Sequence, residues 1–269
     1  MKLLKLGAVL SILGILLGPL ACGKNLPPTS TQTSAPPSYS DWNITSAVTL
    51  NAGSYNYNNV HIFSTGILQL AGPNASVTNA AVTLNLTGSF VMDAGASVVG
   101  IGTGYGPGFG PGAGSVSFAN AGGGGHGGAG GVGGVAAAGP ANDDSLNPVL
   151  MGSGGGSPTG AGAGGALFRV NAVDATLNGS VLCDGNSGVA GGAAGGTIDI
   201  QANTIFGNGI LESYGGTSAL PNTGGGGGGI ILLSIHSGYY FTGTTNVSGG
   251  TGHGTNSTGA NGYFTQAGY

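Results

Sequence analysis

The sequence predicts an all-β chain, a right-handed β-solenoid or β-helix-like fold with stacked glycine-rich segments of the polyglycine-II type. Three observations lead there. Glycine occupies 62 of 269 positions. Short runs such as Thr197-Ile198-Asp199-Ile200-Gln201 alternate polar and apolar residues, the period of a half-buried strand. Units running from a glycine tract into strand, glycine turn and strand recur through the second half of the chain.

Composition narrows the alternatives. Each glycine in a regular element costs about 0.5–1 kcal/mol relative to alanine, so dozens of them need close backbone packing to offset the loss. Disorder is the competing reading, but disordered chains combine low hydrophobicity with high net charge. Here 40% of residues are hydrophobic and only 4% charged. Beyond residue 22 the basic residues are Lys24 and Arg169, set against eight acids. That balance excludes nucleic acid, whose phosphates require clustered Lys and Arg.

Residues 1–22 have the layout of an export signal: Lys2 and Lys5, an apolar run from Leu6 to Leu17, then small residues before Cys22. The apolar run is short for a membrane span. Leu20-Ala21-Cys22-Gly23 resembles the lipobox of bacterial lipoproteins, which implies lipid attachment at Cys22 and a membrane partner through that lipid. Pro19 departs from the leucine usual three positions before the cysteine, and plain secretion is the alternative. With no Asp after Cys22, the resemblance implies the outer membrane or cell surface. Residues 23–41 are rich in Pro, Ser and Thr and read as an extended tether, reaching on the order of 50 Å.

Residues 42–100 form an amino-terminal β section, with VTLNLTGSFVMDAGASVVG giving strand, glycine turn and strand. Residues 101–269 hold the glycine-rich repeats. Gly165, Gly196 and Gly229 open three units at nearly even intervals, and the turn glycines Gly179, Gly209 and Gly243 follow the same spacing. Ile198 and Ile200 are expected to face inward. The unbroken run Ile230-Ile231-Leu232-Leu233 suits a strand covered on both faces, and Phe168-Arg169 suggests a bulge. For residues 101–165 two readings stay open: stacked glycine layers forming one wall, or an insertion without regular structure.

The succession GGGGHGG, GSGGG, GGALFRV, ATLNGSVLCDG, GGAAGGTIDIQA, GNGILESYGG, GGGGGGIILLSI and GANGYF resembles a glycine-rich β-solenoid module. Such modules occur in large bacterial surface and secreted proteins and in some plant and protist wall-associated proteins. The resemblance spans roughly residues 94–265. It implies surface display and offers no catalytic residue to transfer.

Chemistry-bearing residues are sparse. Asp143 and Asp144 are adjacent in PANDDSLNP, a turn-prone loop that makes at most a weak calcium site. His126, inside GGGGHGG, is expected to bond backbone carbonyls where glycine layers meet, a structural role shared with Gly165, Gly196 and Gly229. Cys183 reads as a small buried residue. Tyr105, Phe109, Tyr239 and Tyr240 sit in polar surroundings and are the candidate contacts for a glycan or cell-surface polymer. No cofactor motif and no metal-ligand spacing is present. The expectation is a non-enzymatic, surface-anchored adhesive or structural envelope protein. A polysaccharide lyase or hydrolase, and a passive envelope component, are the alternatives.

Overall fold

The computed structural model describes residues 39–72, 79–156 and 159–268. The signal-like segment, Cys22 and most of the tether lie outside the described residues. In chain order the strands begin β1 (Trp42–Ile44), β2 (Ala47–Leu50), β3 (Gly53–Tyr57), β4 (Val60–Ile62) and β5 (Ile67–Leu70). Next come β6 (Ala81–Leu86), β7 (Ser89–Met92), β8 (Ser97–Val99), and the short β9 (Val116–Ser117) and β10 (Asn120–Ala121). A long glycine-rich stretch precedes β11 (Leu167–Asn171), β12 (Asp174–Leu177), β13 (Ser180–Leu182), β14 (Thr197–Gly207) and β15 (Ile210–Glu212). The last are β16 (Ile230–Phe241), β17 (Thr244–Asn246) and β18 (Tyr263–Gly268). No helix occurs among the described residues.

Apart from the antiparallel β9–β10 hairpin, every named strand pair is parallel. One sheet holds ten strands, eight of them on the path β1-β4-β7-β12-β14-β11-β6-β3. A six-stranded sheet runs β17-β15-β13-β8-β5-β2. This strand order corrects the predicted right-handed β-solenoid. The eight parallel strands follow one path that doubles back through β14, giving a nearly closed, barrel-like wall. The physical reason lies in β14, an 11-residue strand that pairs with β11 through its first half and with β12 through its second. The register between β14 and β16 shifts at Ala202/Thr204, where the bulge falls. No bulge occurs at Phe168-Arg169, because β11 pairs evenly on both sides from Leu167 to Asn171.

Alternation decides which side chains point inward. In β6 the apolar Val82, Leu84 and Leu86 are buried while their neighbours are partly exposed. Pairing aligns Leu84, Val170, Ile200 and Leu233 across successive strands, and likewise Phe90, Ala175, Ile205 and Tyr239. The six-stranded sheet contributes Val98, Val181 and Leu211. These columns belong to one core, with Phe90 and Phe168 in contact at 6.2 Å between ring centroids. Residues 42–100 are part of that core, since β6, β7 and β8 pair directly with β11, β12 and β13.

Three strands, β11, β14 and β16, have cover on their outer side at their first residues as well. Ile230, Ile231, Leu232 and Leu233 are all buried, as are Thr197 through Ile200. The segment before β11 supplies contacts there: Met151 and Tyr105 pack on outward-facing Leu167, and Thr197 donates through Oγ1 to the Leu150 carbonyl at 2.9 Å. Asp199 sits on this face and takes Arg169 Nε at 2.6 Å; Arg169 Nη2 also reaches the Pro148 carbonyl.

Between strands the glycine tracts bond to one another through their backbones. Gly124 N–H donates to Gly192, Gly192 to Gly224, and Gly224 to Ala121, at 2.8–2.9 Å. Gly131 donates to Gly225, and Gly195 to Gly227. Residues 121–128, 191–196 and 223–229 are buried without a break. Such an interior leaves no room for a side chain. A Cβ on Gly226 would overlap the Ala193 carbonyl, whereas one on Gly106 would meet only the edge of the Phe109 ring at 3.9 Å. Gly226→Ala is therefore expected to destabilise the fold by about 3 kcal/mol or more through overpacking against rigid backbone. Gly106→Ala should leave the Tm nearly unchanged, and paired thermal melts of the two variants check this difference.

Candidate functional site

His126 lies where three parts of the chain meet. Its tract is glycine on both sides, so the backbones around it approach closely and enclose the ring fully. Nδ1 faces the Gly195 carbonyl at 3.0 Å and Nε2 faces Asp143 Oδ2 at 3.2 Å. Asp143 also accepts the backbone N–H groups of Asp144, Val149 and Leu150. Burial pushes its carboxyl up, but the His126, Leu150 and Asp144 bonds draw it further down, and it ends below the ordinary aspartate value. The loop from Asn142 to Leu150 is thereby fastened to the glycine body, with Asn142 bonding the backbone of Gly125 and His126.

This arrangement leaves Asp143 and Asp144 ill matched to calcium. Both Asp143 oxygens already accept N–H donors, and Asp144 Oδ1 caps the turn by accepting from Leu146 N. Among the described residues, no group of three or more His, Cys, Asp or Glu converges on one point. A shallow cleft of about 520 Å³ beside this loop is lined by Asp143, Asp144, Leu150 and Tyr263, among others.

On the six-stranded sheet a second acidic neighbourhood forms. Asp184 follows β13 and Glu212 ends β15, the strand paired with it. Asp184 Oδ1 accepts the Tyr214 N–H at 2.7 Å, and Glu212 Oε1 accepts from Asn246 Nδ2. Burial raises Asp184 to about 6; the Tyr214 bond opposes that rise and the Glu212 charge adds to it. Asp199 lies in the other sheet, so the two acids of one repeat, Asp199 and Glu212, belong to different sheets. Cys183 is fully buried, and burial pushes its thiol far up, which leaves it unreactive.

The candidate contact aromatics separate in space. Tyr105, expected at the surface, is buried against Met151 and Leu167, because the segment after β8 folds back over β11. Phe109 stays exposed at a turn closed by its N–H to the Gly106 carbonyl. Tyr239 points toward the core and is only partly accessible. Tyr240 faces outward and is 61% exposed. Its ring stacks on that of Phe206, its register partner in β14, at 5.1 Å and 13°. Next to it, a notch of about 340 Å³ is bounded by His236, Gly238, Tyr239 and Gln266.

Gly196 and Gly229 occupy equivalent positions directly before β14 and β16, whereas Gly165 lies two residues before β11 and corresponds to Gly195. Each donates its N–H across the interior, to Ala194, Cys183 and Ser213 respectively, and none has space for a Cβ. Sequence reasoning singled out His126 and Tyr240 without pairing them to Asp143 and Phe206, because strand register brings Phe206 to Tyr240 and a loop folded over the glycine body brings Asp143 to His126. The spacing of repeats held a usable signal for Phe206, which precedes Tyr240 by one repeat; nothing in the sequence marked Asp143 as the partner of His126. Comparison with protein-family models, curated proteins and solved structures found no match.

Two outcomes follow from the charged groups. Asp143→Asn should lower stability by about 1–3 kcal/mol, because an amide retains one acceptor oxygen and turns an N–H donor toward backbone N–H groups that Asp143 now accepts on both oxygens. Limited proteolysis should then cut within residues 144–149 first. For Asp184 the folded pKa lies above the unfolded one, so its contribution is most favourable below about pH 4 and declines as pH rises through 6. Asp184→Asn should remove that decline and stabilise the protein at pH 7 by about 1–2 kcal/mol, after allowance for solvent screening. Denaturant titrations at pH 4 and pH 7 measure it.

Proposed function

We propose that this protein is a non-enzymatic, exported adhesive or structural component of a cell envelope, held by lipid at Cys22, whose rigid body presents aromatic surface to a glycan or wall polymer. The Tyr240–Phe206 stack is the observation that carries the reading. The phenol ring is braced from one side by a neighbouring strand, so little rotamer freedom remains to be lost when a sugar ring packs on it. The parallel strands beneath are fixed by continuous pairing from β12 to β14 to β16, which suits a surface that must keep its shape under load. The lipobox-like residues and the Pro/Ser/Thr tether support attachment at a distance from the membrane.

One observation favours a second reading, action on a polysaccharide. Asp184 and Glu212 share an electrostatic field on one sheet, and a carboxyl raised to about 6 is suited to donate a proton near neutrality.

A panel of neutral and acidic glycans, scored for both binding and new chain ends, distinguishes the two. The adhesive reading predicts binding without turnover, weakened tenfold or more by Tyr240→Ala, which corresponds to about 1.4 kcal/mol. New reducing or unsaturated ends that disappear in both Asp184→Asn and Glu212→Gln would transfer support to the enzymatic reading. Glycan binding that survives Tyr240→Ala unchanged would remove the aromatic surface from the account.

A further inference from the structure

Away from the ladders, five turns of the glycine body lie side by side. The β9–β10 hairpin is bridged to the 218–223 turn through Ala121 and Thr223, and Thr223 in turn to His253. Val132 N–H bonds the Asn256 carbonyl, and Leu220 N–H bonds that of Val189. Gly134 abuts the side chains of Asn120 and Asn222. These contacts make the five tips one continuous surface.

Several exposed apolar side chains gather on that surface. Phe118, at the tip of the hairpin, is 96% exposed, Val135 is 70% exposed, and Val116, Val189 and Leu220 are exposed too. The segments 113–121, 131–139, 186–191, 216–224 and 250–258 contain no Asp, Glu, Lys or Arg. Ser, Thr and Asn lie between the apolar side chains in four of these segments, whereas 131–139 holds only Gly, Val and Ala. Among the described residues, the non-glycine positions with left-handed backbone are Phe118, Asn222 and Asn256, and all of them occur in these segments. At φ 54° Phe118 adopts a conformation that bulky side chains rarely take, while its ring contacts almost nothing within the chain. A strained and solvated aromatic contributes little to folding and is explained by something outside the chain.

We propose that these tips dock on a lipid bilayer of neutral, zwitterionic headgroups, with Phe118 inserted as the leading side chain. Apolar side chains spaced by hydroxyls and amides suit the boundary between acyl chains and headgroups, where the former bury and the latter stay hydrated. Charge-free tips avoid the penalty that ionised groups meet there. The net charge of −4 disfavours an anionic surface, so neutral lipid is the better match. The surface is distinct from the Tyr240 region, and the inference does not rest on the glycan reading.

The test uses the full chain carrying Trp42→Phe, which removes the native tryptophan but keeps a ring against Tyr57. Phe118→Trp is added as a reporter, and Ile210→Trp on the six-stranded sheet serves as a control, each checked for an unchanged far-ultraviolet circular dichroism spectrum. With phosphatidylcholine vesicles, the reporter at 118 should shift to the blue and be quenched by brominated acyl chains at least several-fold more than the control. Vesicles containing half phosphatidylserine should give weaker quenching. Equal quenching at both positions would show that another part of the chain brings it to the bilayer, and would overturn the proposal. So would absence of quenching at 118, or a blue shift that grows with protein concentration in lipid-free buffer, which would identify a second copy as the occupant.

Discussion

Everything in this protein depends on how closely glycine backbones can approach. Where tracts meet, N–H groups reach carbonyls of another tract directly, as in the series from Gly124 through Gly192 and Gly224 to Ala121. Such bonds satisfy buried peptide groups that a loop would otherwise have to expose to water. The same approach eliminates space for a Cβ at positions such as Gly226. Composition and structure are therefore one constraint: a chain with ordinary side chains at these positions could not close its interior, and one with these glycines but no such packing would lack a reason to fold.

The apolar strands and the glycine body are mutually dependent. Strands align Leu84, Val170, Ile200 and Leu233 into a column whose burial supplies the hydrophobic driving force. Glycine segments return the chain from one strand to its neighbour while their own amides remain bonded. His126 brings a large side chain into that body, and its two ring nitrogens meet a carbonyl and a carboxylate there. Through Asp143 the loop over β14 is secured, and that loop also meets Thr197 through Leu150 and Arg169 through Pro148. The outer cover of the central strand is thus tied to the glycine body by the His126–Asp143 pair together with the Asn142 bonds to Gly125 and His126.

Strand positions were legible in the sequence to the extent that alternation and spacing fix them. The interval from Gly196 to Gly229 equals the register that places Ile230 opposite Thr197, while the interval from Gly165 to Gly196 misses by one residue the register that places Thr197 opposite Leu167. The run Ile230 to Leu233 indicated a doubly covered strand, and all four residues are buried. Sheet order was not legible. Alternation tells which residues face inward, but not that β14 continues through its shift at Ala202/Thr204 and joins two sets of strands into one path. The right-handed solenoid expected from the repeats failed on that point. Tyr105 failed for a related reason: its polar surroundings suggested exposure, whereas contact with Met151, distant in the chain, buries it. Phe118 went unnoticed because one aromatic among small residues looks the same whether it packs inward or projects outward.

Backbone amide exchange of the glycine tracts tests the central constraint most directly. Amides of Gly124, Gly192, Gly195, Gly224 and Gly227, followed by NMR or by mass spectrometry of the intact fold, should exchange as slowly as those of Val170 and Ile200 in the core strands. Exchange of these glycines at the rates of an unstructured peptide, with the strand amides still protected, would contradict the account, because the strands would then stand without the backbone packing proposed to join them.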